Sequence, residues 1–124
     1  MKIVYFSVTG QTRRFIKKLT TTNVHEIDAV DPDYQVGEPF ILVVPTYEAA
    51  ITAPVNDFLE YANNLQYFKG VVGTGNRNFA ELFIFTAKDI ARDYQVPLLY
   101  AFEFSGTDQD VLNFQKVVND IESA

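Results

Sequence analysis

The chain has 124 residues, of which 48% are hydrophobic, and ten basic against sixteen acidic side chains give a net charge of -6. That length fits one domain, spanning residues 1–124, with one sizeable core and no room for two. Cysteine is absent, which excludes disulfides, thiolate metal sites and cysteine nucleophiles, and the acidic balance disfavours a binder of long nucleic acid.

In chain order, KIVYF at 2–6 reads as a first strand, followed by Phe15, Ile16 and Leu19 at helical spacing. VHEI at 24–27 is a weaker second strand. The segment Asp28–Glu38, polar and broken by Pro32 and Gly37, predicts a loop with a reduced helix or none. FILVVP at 40–45 is a third strand. Val55, Phe58, Leu59 and Ala62 then mark a helix, with Pro54 expected in its first turn. KGVVG at 69–73 is a fourth strand, followed by a helix carrying Ala80, Phe83, Ala87, Ile90, Ala91 and Tyr94. LLYAFEF at 98–104 is a fifth. Val111, Phe114, Val117, Val118 and Ile121 form the closing helix, with Thr107 as N-cap and Asp108 and Asp110 in its first turn.

Three of these strands are continuous apolar runs, as strands covered on both faces must be. Alternating strands and helices then imply an α/β fold of three layers, with a five-stranded parallel sheet of order 2-1-3-4-5. In such sheets ligands bind beyond the carboxyl ends of the strands, where the order reverses, here between strands 1 and 3. The loops to inspect are Ser7–Thr12, Thr46–Ala53, Gly73–Phe79 and Phe104–Thr107.

In the first loop Ser7, Thr9, Gln11 and Thr12 offer hydroxyl and amide donors, and Gly10 permits a sharp turn into a helix N-terminus. No Walker lysine follows Gly10, so a phosphomonoester held by neutral donors suits the loop better than a nucleoside triphosphate. Arg13, Arg14, Lys17 and Lys18 on the following helix read as a solvated face. The second loop presents Thr46, Tyr47 and Glu48. The third reads GTGNRNF: Gly73, Thr74 and Gly75 allow close approach to a flat ligand, Asn76 and Asn78 pin the loop or bind the ligand, and Phe79 adds a second aromatic face. Tyr47 and Phe79 each suit ordinary packing or a planar ring; their shared place at the switch point favours the ring.

Other uses of this fold lack their residues. A receiver domain needs an aspartate where Thr46 stands, a low-molecular-weight phosphatase needs a cysteine, and a Ser–His–Asp hydrolase would depend on His25, the only histidine, which is expected to be structural. A flavin mononucleotide (FMN) site remains.

The segments YFSVTGQT, PTY, GTGNRNFAE and FEFSGT, spread over nearly the whole chain, resemble the NrdI family, flavodoxin-like proteins that work with the manganese-using class Ib ribonucleotide reductase. The resemblance implies FMN, with its phosphate at Ser7, Thr9, Gln11 and Thr12. It implies the isoalloxazine ring between the loops of Tyr47 and Gly75–Phe79, with Ser105, Gly106 and Thr107 nearby. It also implies a role: reduced FMN converts dioxygen to superoxide for assembly of the dimanganese-tyrosyl radical cofactor. The implied partners are the radical-bearing small subunit and an electron-donating reductase. No catalytic side chain is implied. The alternatives are an ordinary flavodoxin carrying single electrons and a flavin-free interaction module that keeps only the fold. No apolar run approaches the roughly 20 residues of a membrane span, and no signal-peptide pattern follows Met1, so no membrane partner and a cytoplasmic location are expected.

One departure stands out. The family commonly places glycine in the loop after strand 3, whereas this chain reads TYEAAITAP. Forcing such a residue to positive φ would cost about 1–3 kcal/mol, so the loop is expected to rearrange little between redox states. Glu48 would add negative charge beside the ring, and Arg77 would oppose it if it pointed inward.

Overall fold

In the computed structural model, which describes residues 1–124, the strand Phe40–Val44 (β3) lies at the sheet centre with every side chain buried. Alternation along the strand sends Phe40, Leu42 and Val44 to one face and Ile41 and Val43 to the other, so each face has its own core. Lys2–Tyr5 (β1) and Phe68–Gly75 (β4) flank it, with Val24–Glu26 (β2) beyond β1 and Leu98–Glu103 (β5) beyond β4. All pairs are parallel, in the expected order β2-β1-β3-β4-β5.

The helices are Gln11–Lys17 (α1), Ala49–Glu60 (α2), Asn64–Tyr67 (α3), Phe85–Tyr94 (α4) and Asp108–Glu122 (α5). Phe15 and Ile16 of α1 and Phe114 and Val118 of α5 bury their apolar stripe against Ile3, Tyr5, Ile41 and Val43. Val55, Phe58 and Leu59 of α2 and Ala87 and Ile90 of α4 cover Val4, Leu42, Val44 and Val71. Three layers result. Phe15 anchors the first core, stacked on Phe102 at 4.1 Å and edge-on to Phe114 at 5.3 Å. No helix is long and apolar enough to cross a membrane.

Thr107 caps α5 as expected: its hydroxyl accepts from Asp110 N–H, while the Asp110 carboxylate accepts from Thr107 N–H. Several expectations about helices fail: Leu19 and Ala62 lie beyond the ends of α1 and α2, and two helix starts differ. Pro54 is not in the first turn of α2, because that helix begins at Ala49 and leaves the proline inside it. Lacking an N–H, Pro54 cannot donate to the Ala50 carbonyl one turn back. The helix after β4 does not include Ala80 or Phe83 either: Arg77–Leu82 forms a 3-10 segment, and α4 starts only at Phe85.

The connection from β2 to β3 contains no helix. Its place is held by Asn64, a fully buried side chain in a short helix with no sequence signal. The Asn64 Oδ1 accepts from Val36 N–H at 3.0 Å, and its Nδ2 donates to the carbonyls of Tyr34 and Phe58, both at 2.8 Å. Tyr34 then stacks on His25 at 3.7 Å.

Burial, followed by the charge of Lys2, lowers the His25 pKa below its ordinary value, while Glu26 acts in the opposite sense. The folded protein therefore favours the neutral ring, and the unfolded chain takes up the proton first as the pH falls through about 6.5. Stability contributed by this site is full above that value and declines below it, down to the folded pKa. Thermal midpoints should fall between pH 7 and 5.5, and His25→Gln should flatten the curve in that window. A variant curve parallel to the wild type would refute the assignment. A separate decline at lower pH belongs to Glu26, whose carboxylate the Arg13 guanidinium holds below the usual range.

Candidate functional site

The loops at the carboxyl ends of β1, β3 and β4 enclose a cavity of about 550 Å³ with Phe104, just past β5, on its wall. That volume lies within the usual range of small-molecule sites. The first loop contributes Val8, Thr9, Gln11 and Thr12, the second Pro45 to Glu48 and Ile51, and the third Thr74, Gly75, Asn76, Phe79, Leu82 and Phe85.

Gly10 turns the chain into α1 at φ 93°, a left-handed conformation that glycine adopts without a Cβ penalty, and as N-cap it has no side chain to accept from the helix start. The first-turn N–H groups therefore have no helical acceptor. Ser7 Oγ accepts only the Arg13 N–H, at 3.4 Å. Thr12 lines the cavity but is 1% exposed, and its Oγ1 is the one buried side-chain polar atom without a hydrogen-bond partner. Buried hydroxyls are normally paired, and the chain supplies this one with no partner.

Several polar residues expected as ligand contacts instead tie the loops together. Thr46 Oγ1 donates to the Thr74 carbonyl at 2.8 Å, and Thr74 Oγ1 donates to the Phe104 carbonyl at 2.6 Å. Both line the cavity, with their hydroxyl protons committed to the scaffold. Asn76 caps the 3-10 segment by accepting from Asn78 N–H at 2.9 Å. Ser7, Gly10, Gly73, Asn78, Ser105, Gly106 and Thr107 do not line the cavity. Gly73 serves packing: a Cβ there would lie 2.7 Å from Ala87 Cβ. The carbonyls of Ser105 and Gly106 accept from Lys18 Nζ at 3.1 and 2.7 Å, and Thr107 is occupied capping α5.

Val8, Ile51 and Phe104, inside the loops marked from the sequence, also form the wall, and Pro45, Leu82 and Phe85 join it from outside those loops. Ile51, Leu82 and Phe85 were hidden because apolar residues near helices suggest core. Phe104 carried a signal, the last aromatic of an apolar strand at the switch end of the sheet. Phe79 is 63% exposed at the cavity rim, as a packed core aromatic would not be.

Charge in the site is sparse. Glu48 is the one charged residue on the cavity wall. Arg77 does not point inward: it pairs with Glu103 at 3.3 Å and lies over the Phe83 ring at 4.6 Å. Arg13 is engaged with Glu26 through two contacts of 2.8 and 2.6 Å. Arg14 donates to Gln11 Oε1 at 3.1 Å and lies beside Gly10, so a phosphate at this site would meet hydroxyls, an amide and backbone N–H groups with one guanidinium close by.

The loop from 46 to 53 has no residue at positive φ. Strain sits beside it: Ala80 (φ 51°, ψ -116°), Ile84 (φ 54°) and Phe104 (φ 51°). Ala80 has the backbone of the first central position of a type II′ turn, where glycine is favoured. Relief of about 1–3 kcal/mol of strain, offset by about 0.5–1 kcal/mol of glycine entropy, gives Ala80→Gly an expected gain of about 1 kcal/mol. Urea unfolding measures it, and a loss of stability would show that the strain is absent.

The residues fit FMN on two independent grounds. An unpartnered hydroxyl lies beside a helix start that Ser7 alone caps, through a 3.4 Å contact, and Tyr47, Phe79 and Phe104 border an apolar slot suited to a planar ring. The solved structures agree in fold. A short-chain flavodoxin associated with a PDU bacterial microcompartment matches with a TM-score of 0.62 at 20% identity, covering 98% of this chain and 95% of that one. A Streptococcus pneumonia flavodoxin matches at 0.61 and 21% identity, covering 98% and 97%. The flavodiiron core of a Synechocystis protein matches at 0.58 and 17% identity, covering 98% of this chain and 36% of that longer one. The family model described as NrdI flavodoxin-like matches residues 3–116, almost the whole chain. With sheet order, phosphate-type loop and sequence in agreement, the chain belongs to the NrdI flavodoxin-like family.

Proposed function

We propose that this protein is a cytoplasmic FMN-dependent redox protein that supplies superoxide for assembly of the dimanganese-tyrosyl radical cofactor of class Ib ribonucleotide reductase. Its proposed partners are the radical-bearing small subunit of that enzyme and a reductase that provides electrons. Bound FMN would supply one-electron reduction of dioxygen to superoxide. The chain's own residues bind and orient. Thr12, Thr9 and Gln11, with the start of α1, hold the terminal phosphate through neutral donors. Tyr47, Phe79 and Phe104 flank the ring. Glu48 adds a negative charge and thereby disfavours an anionic reduced ligand. The membership of the family carries the reading, and the unpartnered Thr12 hydroxyl supports it from within the site.

The test is to add FMN, follow its uptake by absorption, reduce the protein anaerobically and mix it with oxygen. Superoxide release, together with tyrosyl-radical formation by electron paramagnetic resonance when a manganese-loaded small subunit is present, is the expected result. Electron transfer to acceptors without radical formation would instead identify an ordinary flavodoxin-type carrier. Failure to take up FMN would refute both.

A further inference from the structure

We propose that Thr86, which does not line the cavity, is a positioning residue that locks the peptides on both sides of Tyr47 and so governs how the site responds when its ligand gains or loses a proton. Thr86 is the second residue of α4, and it is 5% exposed. Its Oγ1 accepts from the Tyr47 N–H at 3.1 Å and donates to the Tyr47 carbonyl at 3.0 Å. One hydroxyl thus uses both its donor and its acceptor capacity on a single residue of the loop after β3.

The neighbouring residues are held as well. Thr46 is tied through its side chain to the Thr74 carbonyl. The Glu48 carbonyl accepts from Ile51 N–H at 2.9 Å, Thr52 N–H at 3.2 Å and Thr52 Oγ1 at 3.3 Å. The loop therefore offers the cavity its side chains while its peptide groups at Tyr47 are turned to α4. Rotating either peptide would strand a buried hydroxyl and a backbone group without partners.

The consequence rests on the FMN reading. A flavin ring nitrogen that accepts a hydrogen bond when oxidised donates one when protonated, so a backbone that answers both states must exchange a carbonyl for an N–H. Thr86 denies the Tyr47 peptides that exchange. The lock holds a loop in which no residue lies at positive φ. It also identifies the residue to remove if the loop is to move.

The test compares Thr86→Val, which removes the hydroxyl, with Thr86→Ser, which keeps it; Thr86→Ala replaces the valine variant if that variant does not fold. In the flavin-free full-length chain, amide exchange at Tyr47, read by nuclear magnetic resonance, should accelerate about tenfold or more in Thr86→Val and return to wild-type rates in Thr86→Ser. Unchanged exchange in the valine variant overturns the lock. In the FMN-loaded protein, the equilibrium between one-electron-reduced flavin and the mixture of oxidised and fully reduced flavin should shift about tenfold in Thr86→Val, again restored by serine. Faster exchange with an unshifted equilibrium overturns the redox role. If the wild type takes up no FMN, the functional reading fails and the redox consequence with it, while the amide exchange still decides the lock.

Discussion

Replacing Thr12 by valine will weaken FMN binding by about 10- to 100-fold while leaving the flavin-free protein at least as stable as the wild type. The two halves of this result come from one atom. The Thr12 Oγ1 is buried and has no partner within the protein, so the folded chain carries its desolvation cost without return. Valine has nearly the same shape and no hydroxyl, and removing an unsatisfied buried polar group is neutral or favourable. A phosphate arriving at the start of α1 supplies the missing acceptor. Hydrogen bonds to charged groups contribute about 1.5–3 kcal/mol, which is the expected loss in affinity. Flavin titration and thermal unfolding of the flavin-free protein measure the two effects separately. Unchanged affinity would place the phosphate away from Thr12 and would undo the FMN assignment of this loop. Lower stability without flavin would mean that the hydroxyl already has a partner, such as a bound water.

Gly106→Ala will destabilise the fold by about 2–5 kcal/mol, yet leave FMN affinity unchanged under conditions where the variant is folded. Gly106 belongs to the segment FEFSGT and was expected beside the flavin, but it does not line the cavity. Its backbone lies at φ 71°, where a side chain is strained. A Cβ would also lie 2.7 and 3.1 Å from the Phe15 ring and 3.3 Å from the Phe102 ring. Phe15 is wholly buried and cannot yield without disturbing its contacts with Phe102 and Phe114. Against a total stability of about 5–15 kcal/mol for a domain, the loss is large. Urea midpoints with an unchanged m-value would report it cleanly. A loss under about 1 kcal/mol would mean that the loop from 104 to 107 relaxes freely, against the two Lys18 contacts and the Thr74 contact that hold it.

The contrast between Thr12 and Gly106 shows how a motif blends two roles. YFSVTGQT and FEFSGT both stand at strand ends on the ligand side of the sheet. In the first, three polar side chains reach the cavity and Ser7 is drawn into capping α1. In the second, Ser105 and Gly106 receive Lys18, Thr107 caps α5, and only Phe104 faces the cavity. Linear spacing brings these residues to one end of the sheet. It cannot say which of them a neighbouring element will claim.

Sheet order, parallel pairing, the end of the sheet where the cavity opens and the cap of α5 were all legible from sequence. Each depends on local pattern: β3 is apolar throughout because both faces are covered, and Thr107 precedes Asp108 and Asp110 where a helix start wants them. The tertiary structure alone decided the rest. Asn64 replaces a missing helix, Arg77 turns to Glu103 rather than the cavity, Ala80 and Ile84 delay α4, and Thr86 grips Tyr47 across a separation of 39 residues. Those outcomes turn on which buried donor finds which acceptor at long range. Hydrophobic period and turn chemistry describe neighbours along the chain, whereas polar satisfaction in a closed interior is settled only when distant segments meet.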